Sequence, residues 1–213
     1  MNKQEIDKLY HDLRELCVSD DIQQKEAILG ITLHLTTHGD YTELLRFLAY
    51  YGENYLLPRA VKFLEYNRIK FTRVVEFGAG LGWLGRGISQ AANNLPLVLV
   101  DKRQWTLIDI VADLESPEGR KRVLEQMQDG DLIVMSEFLH CLDSPRKVLA
   151  PFAKWPMLII EYNSLSAAYM KSYNEQIAKF DCVPVESFRK IFPSSKVISI
   201  RYENHVILLA LPL

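Results

Sequence analysis

The chain has 213 residues, of which 48% are apolar and 24% charged, and its formal net charge at pH 7 is −2. These values fit one large soluble domain with an appendage, able to bury a sizeable core. A charge this near neutral argues against a general nucleic-acid binder, whose affinity depends on many phosphate-neutralising cations.

The cysteines and the N-terminal residues indicate a cellular location. Cys17, Cys141 and Cys182 form no CxxC pair, which argues against a disulfide framework or a structural zinc site and fits a reducing environment. Residues 1–5 include the charged Lys3 and Glu5 and begin no apolar signal core. No apolar run approaches the roughly 18 residues that a membrane helix needs. We therefore expect a cytoplasmic protein with no membrane partner.

Residues 1–69 are predicted to form a helical region. Apolar residues recur there at helical spacing, with interruptions at Gly39-Asp40 and at Gly52-Glu53-Asn54. Pro58 falls in the first turn of the last helix, where a proline is tolerated. The predicted helices cover residues 2–18, 19–37, 41–51 and 55–66.

After Phe71 the pattern changes to short apolar runs that alternate with amphipathic stretches. This alternation predicts an α/β fold, a mostly parallel sheet with helices on both faces. The short connection 202–205 between the last two strands allows only an antiparallel hairpin. The predicted strands are residues 73–77, 95–100 closed by Asp101, 106–112, 132–136, 157–161, 196–201 and 206–211. The predicted helices are residues 83–92, 117–128, 144–152, 164–180 and 185–192.

A glycine-rich loop follows the first predicted strand. Its three glycines at alternate positions, Gly78, Gly80 and Gly82, allow a ligand to approach the backbone, and the helix start offers unpaired N–H groups. A tight turn without a ligand is the alternative. Residues 80–85 also match the dinucleotide pattern GxGxxG. That register is wrong, because the strand ends at Phe77 and the sixth position counted from Gly78 is the bulky Trp83.

The register that fits is hydrophobic-hydrophobic-acid-hydrophobic-Gly-x-Gly-x-Gly over residues 74–82. Here the chain resembles the class I S-adenosylmethionine (SAM)-dependent methyltransferases, and the resemblance extends from about residue 71 to residue 213. It implies a Rossmann-like, seven-stranded, mostly parallel sheet with a terminal antiparallel hairpin. Residues 70–213 are then the SAM-binding domain, and residues 1–69 are a substrate cover.

The resemblance also implies cofactor-binding residues in the glycine loop. Glu76 is similar to the acid that orients the methionine end of SAM. The residues that look like the loop passing that end are Gly78, Ala79, Gly80 and Gly82.

Two further acids look like contacts to the nucleoside part of SAM. Asp101, with Lys102 beside it, resembles the carboxylate that accepts hydrogen bonds from both ribose hydroxyls. Asp113 resembles the acid that accepts from the adenine amino group, with a backbone contact from Leu114. Both acids could instead be ordinary strand-end carboxylates or helix caps. Residues 102–105 leave little more than one turn where the family has a helix, and Trp105 could fill that space.

The segment after the fourth predicted strand resembles the small-molecule O-methyltransferases. Ser136 and Glu137 stand where the backbone of the family meets the methionine amine. His140 resembles a histidine that can act as the base, and an imidazole titrates near neutral pH. A structural or cofactor-adjacent role for His140 is the alternative. Glu161, at the end of the fifth strand, is the second candidate base.

The acceptor is predicted to be a small molecule, methylated on oxygen more readily than on nitrogen. The Asn/Asp-Pro-Pro-aromatic run of enzymes that methylate nucleic-acid amines is absent, which makes nucleic acid an unlikely partner. His34 and His38 stand four residues apart, but no third ligand is identifiable, so we predict no metal site. A cluster of tyrosines would either line the acceptor pocket or pack the leader helices, namely Tyr41, Tyr50, Tyr51 and Tyr55.

Two rival functions stay open. An NAD(P)-dependent oxidoreductase would use the same loop for a dinucleotide, and a carboxylate about 20 residues further on suits both ligands. A non-catalytic protein that binds SAM for sensing or scaffolding would need the same binding loop without turnover. A homodimer through the N-terminal helices is compatible with each reading.

Overall fold

In a computed structural model of the chain, the described residues are Ala49 and residues 52–104, 107–162, 189–202 and 205–213. The chain divides into two compact units, Met1–Tyr66 and Asn67–Leu213. The predicted helices at residues 2–18, 19–37 and 164–180 lie outside the described residues, and so does almost all of the helix predicted at 41–51. No described helix is long and apolar enough to cross a membrane.

Residues 52–66 of the first unit form one continuous helical stretch. A π-helical turn covers Gly52–Leu56 and runs directly into helix α1, Leu57–Tyr66. The predicted break at Gly52-Glu53-Asn54 is therefore wrong. Tyr55 and Leu56 are buried, and the Arg59 guanidinium lies 3.9 Å from the Tyr55 ring centroid and donates to the Tyr55 carbonyl at 2.7 Å. This packing holds the chain helical where glycine alone would favour a break.

The second unit is built on a seven-stranded sheet in the order β3-β2-β1-β4-β5-β7-β6. Strands β1 to β5 are parallel, and β7 and β6 are antiparallel additions at one side. This confirms the predicted Rossmann-like sheet with its terminal hairpin. The strands are β1 Arg73–Phe77, β2 Leu97–Asp101, β3 Ile110–Val111, β4 Asp131–Ser136, β5 Met157–Tyr162, β6 Ser195–Tyr202 and β7 His205–Pro212.

Strand β3 is much shorter than the predicted 106–112, and a side chain explains the difference. The Asp109 carboxylate accepts the Leu99 N–H at 2.8 Å, while the Asp109 N–H donates to the Leu99 carbonyl at 3.0 Å. A carboxylate thus takes the place of the backbone carbonyl that a longer β3 would offer to β2. Regular pairing is left only to Ile110 and Val111.

Within residues 73–162 the strands are connected by helices α2 Trp83–Ala91, α3 Pro117–Leu124 and α4 Pro145–Leu149, and a 3-10 turn, Ala150–Phe152, continues the last of them. Helix α3 begins as its sequence predicts, because the Ser116 hydroxyl accepts the Gly119 N–H at 2.9 Å. It ends four residues before the predicted residue 128. The aromatic core includes Phe77 and Phe152, whose rings meet edge to face with centroids 4.9 Å apart.

Candidate active site

The loop between β1 and α2 needs its glycines for backbone reasons. Gly78, Gly80 and Gly82 have φ angles of +65°, +52° and +67°, in the left-handed region that other residues adopt at a cost. A Cβ at Gly78 would lie 2.2 Å from Phe138 Cδ2, and one at Gly82 would lie 2.8 Å from Leu99 Cδ1. The glycines therefore let the loop fold tightly against its neighbours, which the fold itself requires with or without a ligand.

Asp101 and the glycine loop are in direct contact with each other. Asp101 Oδ2 accepts the Gly80 N–H at 2.9 Å, and Oδ1 accepts the Arg103 N–H at 2.8 Å. Asp101 is half-buried, and each oxygen keeps a second lone pair for another donor. Lys102 beside it is exposed.

Ala79 contributes to the loop through its own backbone contacts. Its N–H donates to the Val100 carbonyl at 3.0 Å, and its carbonyl accepts the Gly82 N–H at 2.6 Å. Its side chain is buried. The backbone groups of Ala79 are thus occupied in holding the loop to β2 and closing its turn.

Glu76 is buried against the first turn of α2. Its Oε2 accepts the Gly85 N–H at 2.9 Å, and only 2% of its surface is exposed. Burial raises the pKa of the Glu76 carboxyl to about 8, although the hydrogen bond from Gly85 and the charge of Arg86 act in the opposite direction. The partner that a buried carboxylate requires is therefore the N-terminus of a helix, where unpaired N–H groups are concentrated.

Gly85 is a residue that sequence reasoning missed. A Cβ there would lie 2.7 Å from Glu76 Oε2 and 2.8 Å from Leu97 Cδ1, so glycine is what allows α2 to pack on β1 and β2. The signal was present in the GxGxxG match, whose last glycine serves close packing of helix and strand.

The loop after β3 is fixed by hydrogen bonds from the buried side chain of Arg120. Asp113 is exposed, and its Oδ1 accepts the Glu115 N–H at 3.0 Å, while Leu114 is buried. Arg120 Nη1 donates to the carbonyls of Leu114 at 2.8 Å and Glu115 at 2.9 Å. Arg120 is buried, with only 8% of its surface exposed.

The loop after β4 adopts an unusual backbone at its first residue. Ser136 ends the strand half-buried, and Glu137 follows with a φ of +51°. The Glu137 N–H donates to the Ile160 carbonyl at 2.8 Å. His140 lies in the 3-10 turn Leu139–Cys141. Its side chain is outside what the structure describes, so its role as the base stays a prediction.

Glu161 is tied to the same loop. Its Oε1 accepts the Leu139 N–H at 2.5 Å, and 2% of its surface is exposed. The carboxylate thus fixes the residue before His140. This geometry favours a role in holding the loop over the predicted role as a second base, which stays untested.

A second contact between this loop and the sheet was also missed. His205 Nε2 lies 3.2 Å from Glu137 Oε1, and 3% of His205 is exposed. His205 was assigned to the hairpin connection, whereas it is the first residue of β7. It is paired with Tyr162, the last residue of β5. Because β7 is antiparallel to β5, its first residue lies at the edge of the sheet that carries the glycine loop.

The sheet order, with five parallel strands and a terminal antiparallel hairpin, defines a Rossmann-like fold that carries a glycine loop after β1 and a carboxylate at the end of β2. Solved structures share this fold. A proposed O-methyltransferase from Nostoc punctiforme superposes with a TM-score of 0.55 and 13% identity, over 93% of this chain and 72% of that chain. Human N-acetylserotonin methyltransferase in complex with SAM gives a TM-score of 0.59 and 12% identity, over 85% of this chain and 58% of that chain.

A third structure widens the range of chemistry among these neighbours. The CurJ carbon methyltransferase gives a TM-score of 0.54 and 12% identity, over 87% of this chain and 66% of that chain. No known family profile and no curated protein sequence matches the chain. At identities this low, the likenesses establish the fold.

Proposed function

We propose that the chain is a SAM-dependent methyltransferase that transfers a methyl group to a small-molecule acceptor, with oxygen as the receiving atom. The observation that carries the proposal is the contact between Asp101 and the Gly80 N–H in a sheet of this topology. It joins the two groups that would hold the two halves of SAM. The SAM bound in the human structural neighbour supports the same cofactor.

The residues present fit this cofactor chemically. Asp101 keeps acceptor lone pairs beside the glycine loop, as two ribose hydroxyls require. Asp113 is an exposed carboxylate after β3, available to an adenine amino group. The backbone of Ser136 and Glu137, at the end of β4, would meet the amine of the methionine part. The rest of the proposed SAM site would be lined by Lys102, Leu114 and the other loop residues.

When bound, SAM supplies an activated methyl group on a sulfonium, which is transferred by in-line displacement. The protein then has to align the acceptor and remove the proton of a hydroxyl. We assign the proton transfer to the His140 imidazole. Glu161 supports it by fixing the Leu139 N–H in the turn that carries His140. Water exclusion and acceptor choice would fall to residues 1–69, whose role as a substrate cover stays a prediction.

Calorimetry with the full chain tests the cofactor. We expect S-adenosylhomocysteine (SAH) to bind and NADH not to bind. Binding of NADH alone would refute the methyltransferase in favour of the oxidoreductase. If SAH binds but no acceptor gains a methyl group in a metabolite screen, the chain is a SAM-binding sensor or scaffold.

The acceptor atom needs a separate experiment, because the structural neighbours include both oxygen and carbon methyltransferases by name. A screen with methyl-labelled SAM, followed by mass spectrometry of the products, locates the new methyl group. We expect it on oxygen of a small molecule. The near-neutral charge of −2 favours an acceptor that needs no broad basic surface. A homodimer and a cytoplasmic location stay predictions.

A further inference from the structure

The Glu137–His205 pair links the last strand of the chain to the loop after β4. His205 Nε2 and Glu137 Oε1 are 3.2 Å apart, and the two side chains are 4% and 12% exposed. A histidine N–H donating to a carboxylate in such a buried setting is a strong, directional interaction. Because the pair joins β7 to the loop after β4, it restrains the backbone of that loop at Glu137.

The backbone of Glu137 has an unfavourable conformation that its neighbours must stabilise. Glu137 has a φ of +51°, a conformation that an L-residue with a long side chain adopts only when its surroundings hold it there. Two contacts do so. The Glu137 N–H donates to the Ile160 carbonyl of β5 at 2.8 Å, and the Glu137 carboxylate meets His205 of β7.

The residues that follow Glu137 depend on this turn. Phe138 comes next, and its ring lies where a Cβ on Gly78 would be, so the β4 loop and the glycine loop are packed against each other. Leu139 is then fixed through Glu161 Oε1. A change in the backbone of Glu137 would move Phe138 relative to the glycine loop, which is where the proposed function puts the methionine part of SAM.

We propose that His205 is a positioning residue for cofactor binding: through Glu137 it holds the left-handed turn that places the β4 loop against the methionine part of SAM. The proposal rests on the proposed function. With 3% of its surface exposed, His205 acts through Glu137 and does not itself contact the acceptor. In this contact Nε2 is the donor, because a carboxylate oxygen can only accept.

Two ligands separate this role from general destabilisation. SAH carries the amino-acid end, whereas methylthioadenosine has the same nucleoside and thioether without it. For His205→Phe, which fills the space but lacks the donor, we expect about tenfold weaker SAH binding by calorimetry, as for one lost hydrogen bond to a charged group. Methylthioadenosine binding should change less than about twofold, since the proposed function assigns its nucleoside to Asp101 and Asp113.

Rescue variants make the test specific. His205→Gln keeps an N–H donor for Glu137 and should retain most of the SAH affinity. Glu137→Gly favours the left-handed φ without any side-chain support, so adding His205→Phe to it should weaken SAH binding by less than about threefold. Leu208→Ala serves as a control, because it removes buried side-chain volume from β7 outside the loop contacts.

The outcomes are distinct. Selective loss of SAH binding in His205→Phe, restored by Gln and suppressed by Glu137→Gly, supports the proposal. Equal loss of both ligands, the same selective loss in Leu208→Ala, or unchanged SAH binding in a folded His205→Phe overturns it. If the unaltered chain binds neither SAH nor SAM, the proposed function itself fails, which is measured before any variant is made.

Discussion

At the scale of single residues, the site depends on carboxylates that differ in their surroundings. Asp101 is half-buried and bound to two backbone N–H groups, whereas Glu76 is buried against a helix terminus. The first is available to a ligand in the proposed function. The second serves the packing between β1 and α2. The sequence pattern places both at the glycine loop, and only their burial distinguishes the two roles.

Replacing Asp101 tests the ribose contact. Asp101→Ala should weaken SAH binding roughly 10- to 100-fold, because a charge-assisted hydrogen bond is worth about 1.5–3 kcal/mol. Calorimetry at constant ionic strength measures the loss. Asp129→Ala removes the same charge from an exposed carboxylate that precedes β4, at the opposite edge of the sheet, and should leave the affinity unchanged. Equal affinity in both variants would remove Asp101 from the site.

The pKa of Glu76 predicts a pH dependence of stability. The folded pKa is about 8 and the ordinary value is 4.5, so the folded state holds a proton that the unfolded state releases between these pH values. The stabilisation is present below pH 4.5 and is lost as the pH rises towards 8, by up to ~1.4 kcal/mol per pH unit. Glu76→Gln keeps an oxygen acceptor for Gly85 and removes the titration. Urea unfolding from pH 5 to 8 should show a falling free energy for the unaltered chain relative to the variant; parallel curves would contradict the pKa shift.

At the scale of elements, the loops after β1 and β4 form one unit through Gly78 and Phe138. Gly78→Ala combines an unfavourable φ, worth about 1–2 kcal/mol, with a clash against the Phe138 ring. We expect a loss of roughly 2–4 kcal/mol in the free energy of unfolding. In the double variant Gly78→Ala/Phe138→Ala the clash is gone and the φ penalty remains, so the two effects should not add. Additive losses would show that the loops are independent.

The strands of the described sheet were predicted well because each is a short apolar run bounded by turn residues. Most observed bounds agree with the predicted ones to within two residues, and β1 agrees fully. The exception is β3, because the Asp109 side chain bonds to the Leu99 backbone and replaces a strand carbonyl. A related effect outside the strands is Arg120, which turns inward to the carbonyls before its helix. Neither effect can be detected in local periodicity.

The site contacts that the sequence did not predict also depend on side chains that meet other parts of the chain. Gly85 is needed because of the Glu76 side chain, and His205 contacts a residue 68 positions earlier in the chain. A pattern of residue types indicates which loops meet at the edge of the sheet. It does not indicate which side chain of a late strand reaches into which loop, because that depends on the pairing of β5 with β7.

At the scale of the whole molecule, the two edges of the parallel sheet are specialised differently. The carboxyl edge carries the candidate site. At the amino edge, Arg73 links two strands, because its Nε and Nη2 donate to the two Asp131 oxygens at 2.7 Å each. Asp131 is fully buried and also accepts the Gln128 N–H at 2.7 Å. This bidentate pair joins the first residues of β1 and β4 and belongs to stability alone.

Arg73→Met should therefore separate stability from binding. It leaves the Asp131 carboxylate buried without its cation, which typically costs about 3–5 kcal/mol. Thermal or urea unfolding should show this loss, while SAH affinity measured well below the transition stays within about twofold of the unaltered chain. A large fall in affinity without a fall in stability would mean that the amino edge influences the site.

The order of the strands also has a consequence for how the sheet opens. Among the described strands, β6 has β7 as its neighbour and reaches the parallel sheet only through it. Any fluctuation that detaches β7 from β5 must release β6 with it, and because an isolated two-stranded hairpin is marginally stable, the β6 amides bonded to β7 should then exchange together with the β7 amides bonded to β5. His205 begins β7, and the same opening would free Glu137. Ligand that binds at the β4 loop should then slow amide exchange in a hairpin that it does not touch.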